Sequence, residues 1–342
     1  MIRAAIIGLG RWGRSLVNSV QSDADDLRFV AGHTRTRPKA EDFCKTKGVR
    51  LVDDFDAILS DPAIDAVVLA TPHSQHAEQI ARAAAAGKHI LVEKPITLGH
   101  ASAAAAAEAA RKAGVMLAVG YCRRFHPSFG EMRVRLADGR LGKIVAMVAQ
   151  HTTSTSAFIP SGNWRADPDE APAGAMTAVG LHSLDLMIEF AGRVRDVQCV
   201  TGRHGDGPSD DTTTLLMRFA NGATGTIFCS VATATNFSFT TYGSLGLAEV
   251  RGASLQTFRF VPVSQQAPTG PITAPPDQTI DHSGFNMLKV ELNEFARAIR
   301  DKRAYPVGLD DVLHGMAVFD AAVQSAKSGR IVEVPASWTR TT

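Results

Sequence analysis

The chain opens with Ile2-Arg-Ala-Ala-Ile-Ile-Gly-Leu-Gly-Arg-Trp-Gly13, in which an apolar run leads into the spacing G-x-G-x-x-G, and a helical pattern follows from Arg14. A strand, a tight turn and a helix start form the phosphate-binding unit of dinucleotide folds, because unpaired amides at the helix N-terminus face the pyrophosphate. A glycine-rich turn without a ligand can share this spacing. The context of alternating strands and helices favours a dinucleotide site. Its predicted binding residues are Gly8, Leu9, Gly10, Arg11, Trp12 and Gly13.

Length and composition favour an ordinary globular protein of two domains. The 342 residues are 45% hydrophobic, and 36 Lys and Arg against 34 Asp and Glu leave a formal net charge of +2. This balance argues against a nucleic-acid or membrane partner. The four cysteines are widely spaced and contain no C-x-x-C pair, so we expect neither a disulfide framework nor a metal site. The first apolar run is too short for a signal peptide, and we expect a cytoplasmic protein.

The end of the second predicted strand bears on the choice of cofactor. Dinucleotide folds that bind NAD usually place an Asp or Glu there, where it contacts the ribose. This chain has Thr34, Arg35 and Arg37 instead. A hydroxyl and guanidinium groups suit the 2′-phosphate of NADP, which a carboxylate would repel. We therefore predict these three residues as cofactor ligands and favour NADP, with NAD possible. The alternative is that the arginines only solvate an exposed loop.

Strands and helices alternate up to residue 120. The predicted strands after the first cover 27–33, 49–52, 65–70, 88–92 and 115–119, and the predicted helices 38–47, 55–60, 77–86 and 99–111. This alternation predicts a Rossmann domain over 1–120, an α/β fold with a doubly wound parallel sheet. Ligands lie at the carboxyl ends of such strands. Further cofactor-binding candidates at these ends are Thr71, Pro72, His73, His76, Glu93, Lys94 and Pro95.

The pattern changes after residue 120. Predicted strands over 143–151, 194–201, 212–219, 223–231, 237–242 and 248–251 follow one another with short connections. Predicted helices cover 127–137, 181–191, 286–301 and 310–326, and 264–281 is predicted to be an irregular loop. Residues 121–342 should therefore form an α+β domain with a largely antiparallel, open sheet.

Polar side chains cluster in three stretches of this second domain. We predict substrate binding by Tyr121, Arg123, Arg124, Trp164, Arg165 and Asp185. His182 and Asp185 are three residues apart at a helix start and share a face. A histidine there can transfer a proton near neutral pH. In isolation His182 could equally be a capping or core residue, and each arginine an ordinary salt-bridge partner.

The order of these motifs resembles the Gfo/Idh/MocA oxidoreductases over nearly the whole chain. The most specific stretch is Ala86-Gly-Lys-His-Ile-Leu-Val-Glu-Lys-Pro95, supported by Thr71-Pro-His-Ser-Gln-His76, Trp164-Arg165 and Gly180-Leu-His-Ser-Leu-Asp185. The resemblance implies nicotinamide-dependent hydride transfer at the domain interface, with Lys94 and His182 as catalytic residues. It also implies a homodimer or homotetramer formed through the open sheet, and a small-molecule substrate.

One departure from the family pattern concerns the proton relay. The family often has an Asp four residues before its catalytic histidine, and here that position is Ala178. Catalysis by Lys94 and His182 on a sugar, cyclitol or related polyhydroxylated or carboxylated ring is the favoured reading. A non-catalytic NADP-binding sensor, or a redox-neutral lyase or hydrolase that uses bound dinucleotide, remains open from the sequence.

Overall fold

The computed structural model describes residues 1–22, 26–158, 162–266, 272–273 and 276–335. Its described residues fall into two compact units. Unit 1 contains Met1–Cys122 and Asn286–Met316, and unit 2 contains Arg123–Phe285 and the chain from Ala317 onward. None of the described helices is both long enough and apolar enough to cross a bilayer.

Six of the described strands form the parallel sheet of unit 1. They are β1 (Ile2–Ile7), β2 (Leu27–His33), β3 (Arg50–Leu51), β4 (Ala66–Leu69), β5 (His89–Glu93) and β6 (Leu117–Gly120). Their order is β3-β2-β1-β4-β5-β6. The chain therefore builds outward from β1 in one direction and then from β4 in the other, which confirms the predicted doubly wound sheet and places its switch point between β1 and β4.

The helices of this sheet are α1 (Arg11–Val20), α2 (Glu41–Lys47), α3 (Phe55–Leu59), α4 (His76–Ala85) and α5 (His100–Ala113). All four residues of β4 are buried, as expected for a parallel strand covered on both faces. On α1, by contrast, the buried positions Gly13, Leu16, Val17 and Val20 recur at helical spacing, so one side of that helix packs on the sheet.

A helix from the end of the chain also belongs to unit 1. Helix α8 (Met287–Arg300) packs against α1 and β2. Asp26, just before β2, accepts hydrogen bonds from Arg297 Nε at 2.7 Å and from Arg300 Nη1 at 2.6 Å. The sequence predicted that these residues belong to the second domain. The periodicity of an amphipathic helix predicts which face is buried, but not which element that face packs against.

Unit 2 is built on a mixed sheet. Its strands are β7 (Ile144–Thr152), β8 (Val194–Gly202), β9 (Thr212–Phe219), β10 (Thr224–Ser230), β11 (Asn236–Gly243), β12 (Gly246–Arg251), β13 (Thr257–Pro262), β16 (Gln278–Asp281) and β17 (Val332–Glu333). Among the described residues their order is β16-β13-β12-β11-β7-β10-β9-β8-β17. Among the described strands of unit 2, β7 and β10 alone pair in parallel, so the prediction of a largely antiparallel sheet is confirmed. Unit 2 contains helices α6 (Pro127–Ala137) and α7 (Leu181–Ala191), and α9 (Leu309–Ser328) begins in unit 1 and ends in unit 2.

The prediction of an irregular loop over 264–281 is wrong in part. Strand β16 pairs with β13 in antiparallel register, with Phe258 opposite Ile280. Two short strands, β14 (Gln265–Gln266) and β15 (Ile272–Thr273), pair with each other. Strand β13 itself was not predicted, although Phe258 and Phe260 alternate with half-buried residues. Strand β16 lies at the edge of the sheet and contains the polar residues Gln278 and Thr279. Its backbone pairs with β13 although most of its side chains are exposed, so the apolar pattern of a buried strand is absent. Residues 267–271 and 274–275 lie outside the described residues.

Candidate active site

The carboxyl ends of four neighbouring strands in unit 1 line up across the sheet. Ile7 pairs with Leu69, Leu69 with Val92 and Val92 with Val119. Because these strands are parallel and in register, the residues that follow them lie along one edge of the sheet. Predicted site residues at this edge are Gly8, Thr71, Lys94 and Tyr121. The structure therefore brings the predicted residues of unit 1 together at the edge where α/β sheets bind ligands.

The three glycines of the first turn have distinct environments. Gly8 has a φ of +98°, and a Cβ there would lie 2.5 Å from the Ala70 carbonyl oxygen. A Cβ on Gly13 would lie 1.9 Å from the Gly8 carbonyl oxygen. Gly10, in contrast, has no heavy atom within 4 Å of its Cβ position and precedes the first residue of α1. The open space beside Gly10, in front of the unpaired amides of α1, fits a pyrophosphate.

The other residues of this turn have separate surroundings. Leu9 is buried and belongs to the core, whereas Arg11 is exposed and Trp12 is half-buried. The Trp12 indole Nε1 is buried without a hydrogen-bond acceptor among the described residues. Backbone amides at Arg11 and Trp12 start the helix, so these two residues can contact phosphate through the main chain.

Strand β2 ends beside this turn, since Gly8 N donates to the His33 carbonyl oxygen at 2.8 Å. Thr34 follows and is half-buried, and Arg35 is exposed with no ion pair among the described residues. Arg37 instead forms ion pairs with Asp53 and Glu41. Of the two predicted phosphate-binding arginines, Arg35 is the one whose charge is not compensated by a carboxylate in the described chain.

The segments after β4 and β5 are joined by a buried histidine. His76 is fully buried, and its Nδ1 lies 2.8 Å from the Pro95 carbonyl oxygen while its Nε2 lies 3.2 Å from that of Thr71. Thr71 Oγ1 donates to Gln79 Oε1 at 2.6 Å. His76 thus lies between the Thr71 and Pro95 carbonyl oxygens, and the single N–H of a neutral ring donates to one of them. Its place after β4 did not reveal this structural position.

Lys94 and its neighbours have different accessibilities. Lys94 is half-buried at the end of β5 and is joined to the buried Pro95 by a cis peptide bond. Glu93 is buried, with its carboxylate against Gly120, where an added Cβ would lie 3.0 Å from Oε1. Pro72 is half-buried, as is His73, whose ring centroid is 5.8 Å from that of His76. Lys94 therefore provides a positively charged side chain at the carboxyl end of β5, on the ligand-binding edge of the sheet.

In unit 2, His182 lies in the first turn of α7 and is buried. The five residues before this helix, Met176–Gly180, form a π-helical turn. Turns of this type are rare and are often found at functional sites. Ala178 is the exposed residue of the turn, so the carboxylate position of the family pattern is occupied by a methyl group facing solvent.

Asp185, one turn further along α7, forms an ion pair with Arg124. The Arg124 Nε lies 2.8 Å from Asp185 Oδ2 and its Nη2 lies 2.7 Å from Oδ1. Arg133 extends the network, donating to Glu189 Oε1 at 2.6 Å and to the Arg124 carbonyl oxygen at 2.6 Å. Both Arg124 and Asp185 were predicted substrate-binding residues, and the structure places them in a buried ion pair.

Arg123 points into a different environment, which the sequence analysis did not anticipate. Its guanidinium carbon lies 4.3 Å from the Phe237 ring centroid, and its Nη2 lies 3.2 Å from His151 Nε2. His151 Nδ1 is also 3.2 Å from the carbonyl oxygen of Val179, in the π-helical turn. His151 at the end of β7 thus links Arg123 to the turn before His182. A histidine at a strand end was the available signal.

The remaining predicted substrate residues are Tyr121, Trp164 and Arg165. Trp164 and Arg165 form a stacked pair, with the guanidinium carbon 4.2 Å from the indole centroid. Asn163 Oδ1 caps their short turn by accepting from Arg165 N at 3.0 Å. Tyr121 is buried in unit 1. Within the described part of the chain, no three His, Cys, Asp or Glu side chains are grouped so as to hold a metal ion.

A doubly wound parallel sheet with this glycine turn defines a dinucleotide-binding protein. Two family models match the chain: the Gfo/Idh/MocA oxidoreductase family with an NAD-binding Rossmann fold over residues 2–121, and the Gfo/Idh/MocA C-terminal domain over residues 129–249. The chain belongs to the Gfo/Idh/MocA family. It is an NAD(P)-dependent oxidoreductase of the dehydrogenase type, as the resemblance of its motifs implied.

Named relatives give the range of this family. The chain is 35% identical to scyllo-inositol 2-dehydrogenase (NAD(+)) of Bacillus subtilis over 143 residues, 42% of either protein. It is 26% identical to D-xylose 1-dehydrogenase (NADP(+)) 2 of Haloferax volcanii over 94% of this chain and 96% of that one. A solved structure from Desulfitobacterium hafniense, provisionally assigned as an NADPH-dependent oxidoreductase, superposes with a TM-score of 0.88 at 25% identity and covers 97% of both chains.

Proposed function

We propose that the protein is an NADP-dependent oxidoreductase that interconverts a hydroxyl and a carbonyl group on a sugar, a cyclitol or a related polyhydroxylated or carboxylated ring. The main observation in support of this function is that the glycine turn after β1 and Lys94 after β5 lie along the same edge of the parallel sheet. The substrate class is supported by the relatives, whose names specify an inositol and a pentose sugar.

The preference for NADP rests on the end of β2. Thr34 and Arg35 stand where NAD-binding folds commonly place a ribose-binding carboxylate, and Arg35 is exposed. The guanidinium of Arg35 would bind a 2′-phosphate through charge-assisted hydrogen bonds. The Asp53 carboxylate is paired with Arg37. The relatives differ in cofactor, one being named for NAD and one for NADP.

We assign the proton chemistry to Lys94 and His182. When bound, the nicotinamide supplies the acceptor or donor of hydride. The Lys94 ammonium stabilises negative charge on the reacting oxygen, and electrostatic stabilisation of this kind is often the largest contribution to rate. His182 takes the hydroxyl proton during oxidation and returns it during reduction. With Ala178 in place of the family carboxylate, the imidazole of His182 works without that support.

The test is a panel of polyols, aldoses and sugar acids offered with NADP⁺ and with NAD⁺, followed by absorbance of the reduced nicotinamide. We expect turnover with a member of the panel and a higher kcat/KM for NADP⁺. Turnover only with NAD⁺ would overturn the cofactor assignment. Binding of NADPH without turnover of any hydroxylated ring, in either direction, would overturn the proposed reaction.

We also propose that the protein forms a homodimer or homotetramer through the open face of the unit 2 sheet. Val200, Leu216 and Tyr242 lie on that face with 64%, 47% and 43% of their surface exposed. The opposite face carries the buried Thr213, Leu215 and Met217. The oligomeric state measured by light scattering should fall to monomer in Leu216→Glu. A wild-type monomer at micromolar concentration would refute self-association.

A further inference from the structure

We propose that Thr213 is a positioning residue for His182, acting through the turn that leads into the histidine; this inference rests on the proposed role of His182. Thr213 lies on β9 and is fully buried. No motif in the sequence distinguishes it from its neighbours Thr212 and Thr214. Its importance comes from the backbone that its hydroxyl contacts.

The entry of the turn has an unusual backbone. Ala173 has a φ of +55° and Gly174 a φ of +56°, so two successive residues are left-handed. Alanine adopts this conformation only when its surroundings hold it there. Glycine is required at 174, because a Cβ would lie 2.3 Å from the Asp210 carbonyl oxygen. The structure therefore needs a fixed partner at this point of the chain.

Thr213 is that partner. Its Oγ1 donates to the Ala173 carbonyl oxygen at 2.7 Å and accepts from Met176 N at 3.3 Å. Met176 N also lies 3.1 Å from the Ala173 carbonyl oxygen. One buried hydroxyl thus contacts the first left-handed residue, Ala173, and also Met176, the first residue of the π-helical turn.

The neighbouring strand holds the other end of the π-helical turn. Thr213 on β9 is directly opposite Cys229 on β10. A Cβ on Gly180, the last residue of the turn, would lie 3.1 Å from Cys229 Sγ. A single cross-strand pair, Thr213 and Cys229, therefore supports the entry and the exit of Met176–Gly180. His182 follows two residues later.

This arrangement places the proposed proton-transfer residue on a rigid support. Thr213 also pairs with Thr201 on β8, so three strands hold its backbone. A reacting group gains rate from fixed geometry, and a misplacement of about 1 Å can cost about 100-fold. Loss of the Thr213 hydroxyl should thus affect the orientation of His182 while the glycine turn of unit 1 is unchanged.

The test compares Thr213→Val with wild-type protein. Valine keeps the shape and removes both hydrogen bonds, and we expect kcat to fall by about 100-fold, as for a misplaced catalytic group. The dissociation constant for NADPH, measured by fluorescence, should not change. Thr213→Ser should restore most of kcat. If Thr213→Val does not fold, Thr213→Ala is the second variant, with the same expected loss of kcat.

Two controls separate positioning from general destabilisation. Leu215→Val alters the same face of the same strand and should lower the melting temperature without lowering kcat. Thr46→Val makes the same substitution at an exposed position of α2 in unit 1 and should leave kcat unchanged. Near-normal kcat in Thr213→Val, or an equal loss of kcat in Leu215→Val, would overturn the inference.

The His182→Asn variant tells the two proposals apart. A slow His182→Asn enzyme together with a full-speed Thr213→Val enzyme refutes only the role of Thr213. A His182→Asn enzyme with the wild-type rate refutes the proposed role of His182 itself. In the His182→Asn background, Thr213→Val should leave the residual rate nearly unchanged, since its effect passes through the imidazole.

Discussion

Arg124 contacts both carboxylate oxygens of Asp185 at 2.8 and 2.7 Å, and the two side chains are buried together. This pair assigns Asp185 to the framework of α7, the helix that also carries His182. Removal of one member of a buried ion pair typically costs about 3–5 kcal/mol, because the other charge stays buried.

Asp185→Asn should therefore lower stability by about 3 kcal/mol. Because Arg124 already compensates the charge of this carboxylate, the pH dependence of kcat should stay unchanged. Chemical denaturation measures the first quantity and a pH–rate profile the second. Glu189→Gln, which alters the same network at the more distant Arg133, serves as the comparison. A shift of the acid limb in Asp185→Asn would show that this carboxylate does assist His182.

Arg35→Asp should weaken NADP⁺ binding by about 1.5–3 kcal/mol, the range for a hydrogen bond to a charged group. NAD⁺ binding should change less, because it lacks the 2′-phosphate. Arg37→Ala is the matched comparison, and its cost should be smaller since Arg37 is already paired with Asp53 and Glu41. Isothermal titration gives all the constants. Equal losses for both dinucleotides in Arg35→Asp would contradict the assignment.

Lys94→Met should fold, bind NADPH normally and lose kcat by about 100- to 1,000-fold, the usual cost of removing a group that stabilises developing negative charge. Stopped-flow measurement of hydride transfer separates this loss from product release. Lys45→Met, on the exposed side of α2, is the control and should keep full activity. Near-normal turnover in Lys94→Met would remove it from the mechanism.

Oxidation should lose kcat as the pH falls, because a protonated His182 cannot accept the hydroxyl proton. A carboxylate at position 178 would stabilise the imidazolium and raise its pKa. In Ala178→Asp the acid limb of the kcat profile should therefore move to higher pH, provided that the new carboxylate reaches the ring. His182→Asn should lose the limb and most of the rate. If that variant retains both, a residue other than His182 handles the proton.

His126 should make the fold sensitive to acid. Its Nδ1 caps α6 by accepting from Ser128 N at 3.2 Å, and burial, aided by His282 and Arg123, lowers the pKa of His126 to about 4. The unfolded chain binds this proton near pH 6.5, so stability is lost as the pH falls from about 6.5 to 4, by about 3 kcal/mol.

The variant His126→Asn tests this expectation, because asparagine is a good N-cap and does not titrate. The melting temperatures of the two proteins should converge at pH 4, where wild-type His126 has lost its advantage, or cross in favour of the variant. Equal slopes of melting temperature against pH in both proteins would show that His126 is not the titrating group.

Local sequence was enough to predict the sheet of unit 1, because most of its strands are mainly apolar runs bounded by a turn, as in Ala66–Leu69 before Thr71 and Pro72. It also indicated which residues lie at the ligand-binding edge. It did not reveal the partners of long-range contacts. Asp26 forms ion pairs with Arg297 and Arg300, which are 271 and 274 residues away in the sequence. No local pattern around either segment predicts these contacts.

The same limit applies to the site of unit 2. His182 and Asp185 share a helix face, which suggested a functional pair, yet Arg124 engages Asp185 from 61 positions away. Thr213 is one of three consecutive threonines, and only the burial of its side chain and the path of residues 173–176 distinguish it. Roles that depend on a positive φ in another segment cannot be read from periodicity.

The unequal surroundings of the three glycines have a consequence for mutational tolerance. Side chains at Gly8 or Gly13 collide with backbone inside the protein itself, so variants at these positions would fail in any selection for abundance. A side chain at Gly10 meets no protein atom within 4 Å. Gly10 variants should therefore accumulate in cells at normal levels and be lost only when growth depends on dinucleotide binding. Among the three glycines, Gly10 is the position at which a selection for abundance and a selection for activity should give different results.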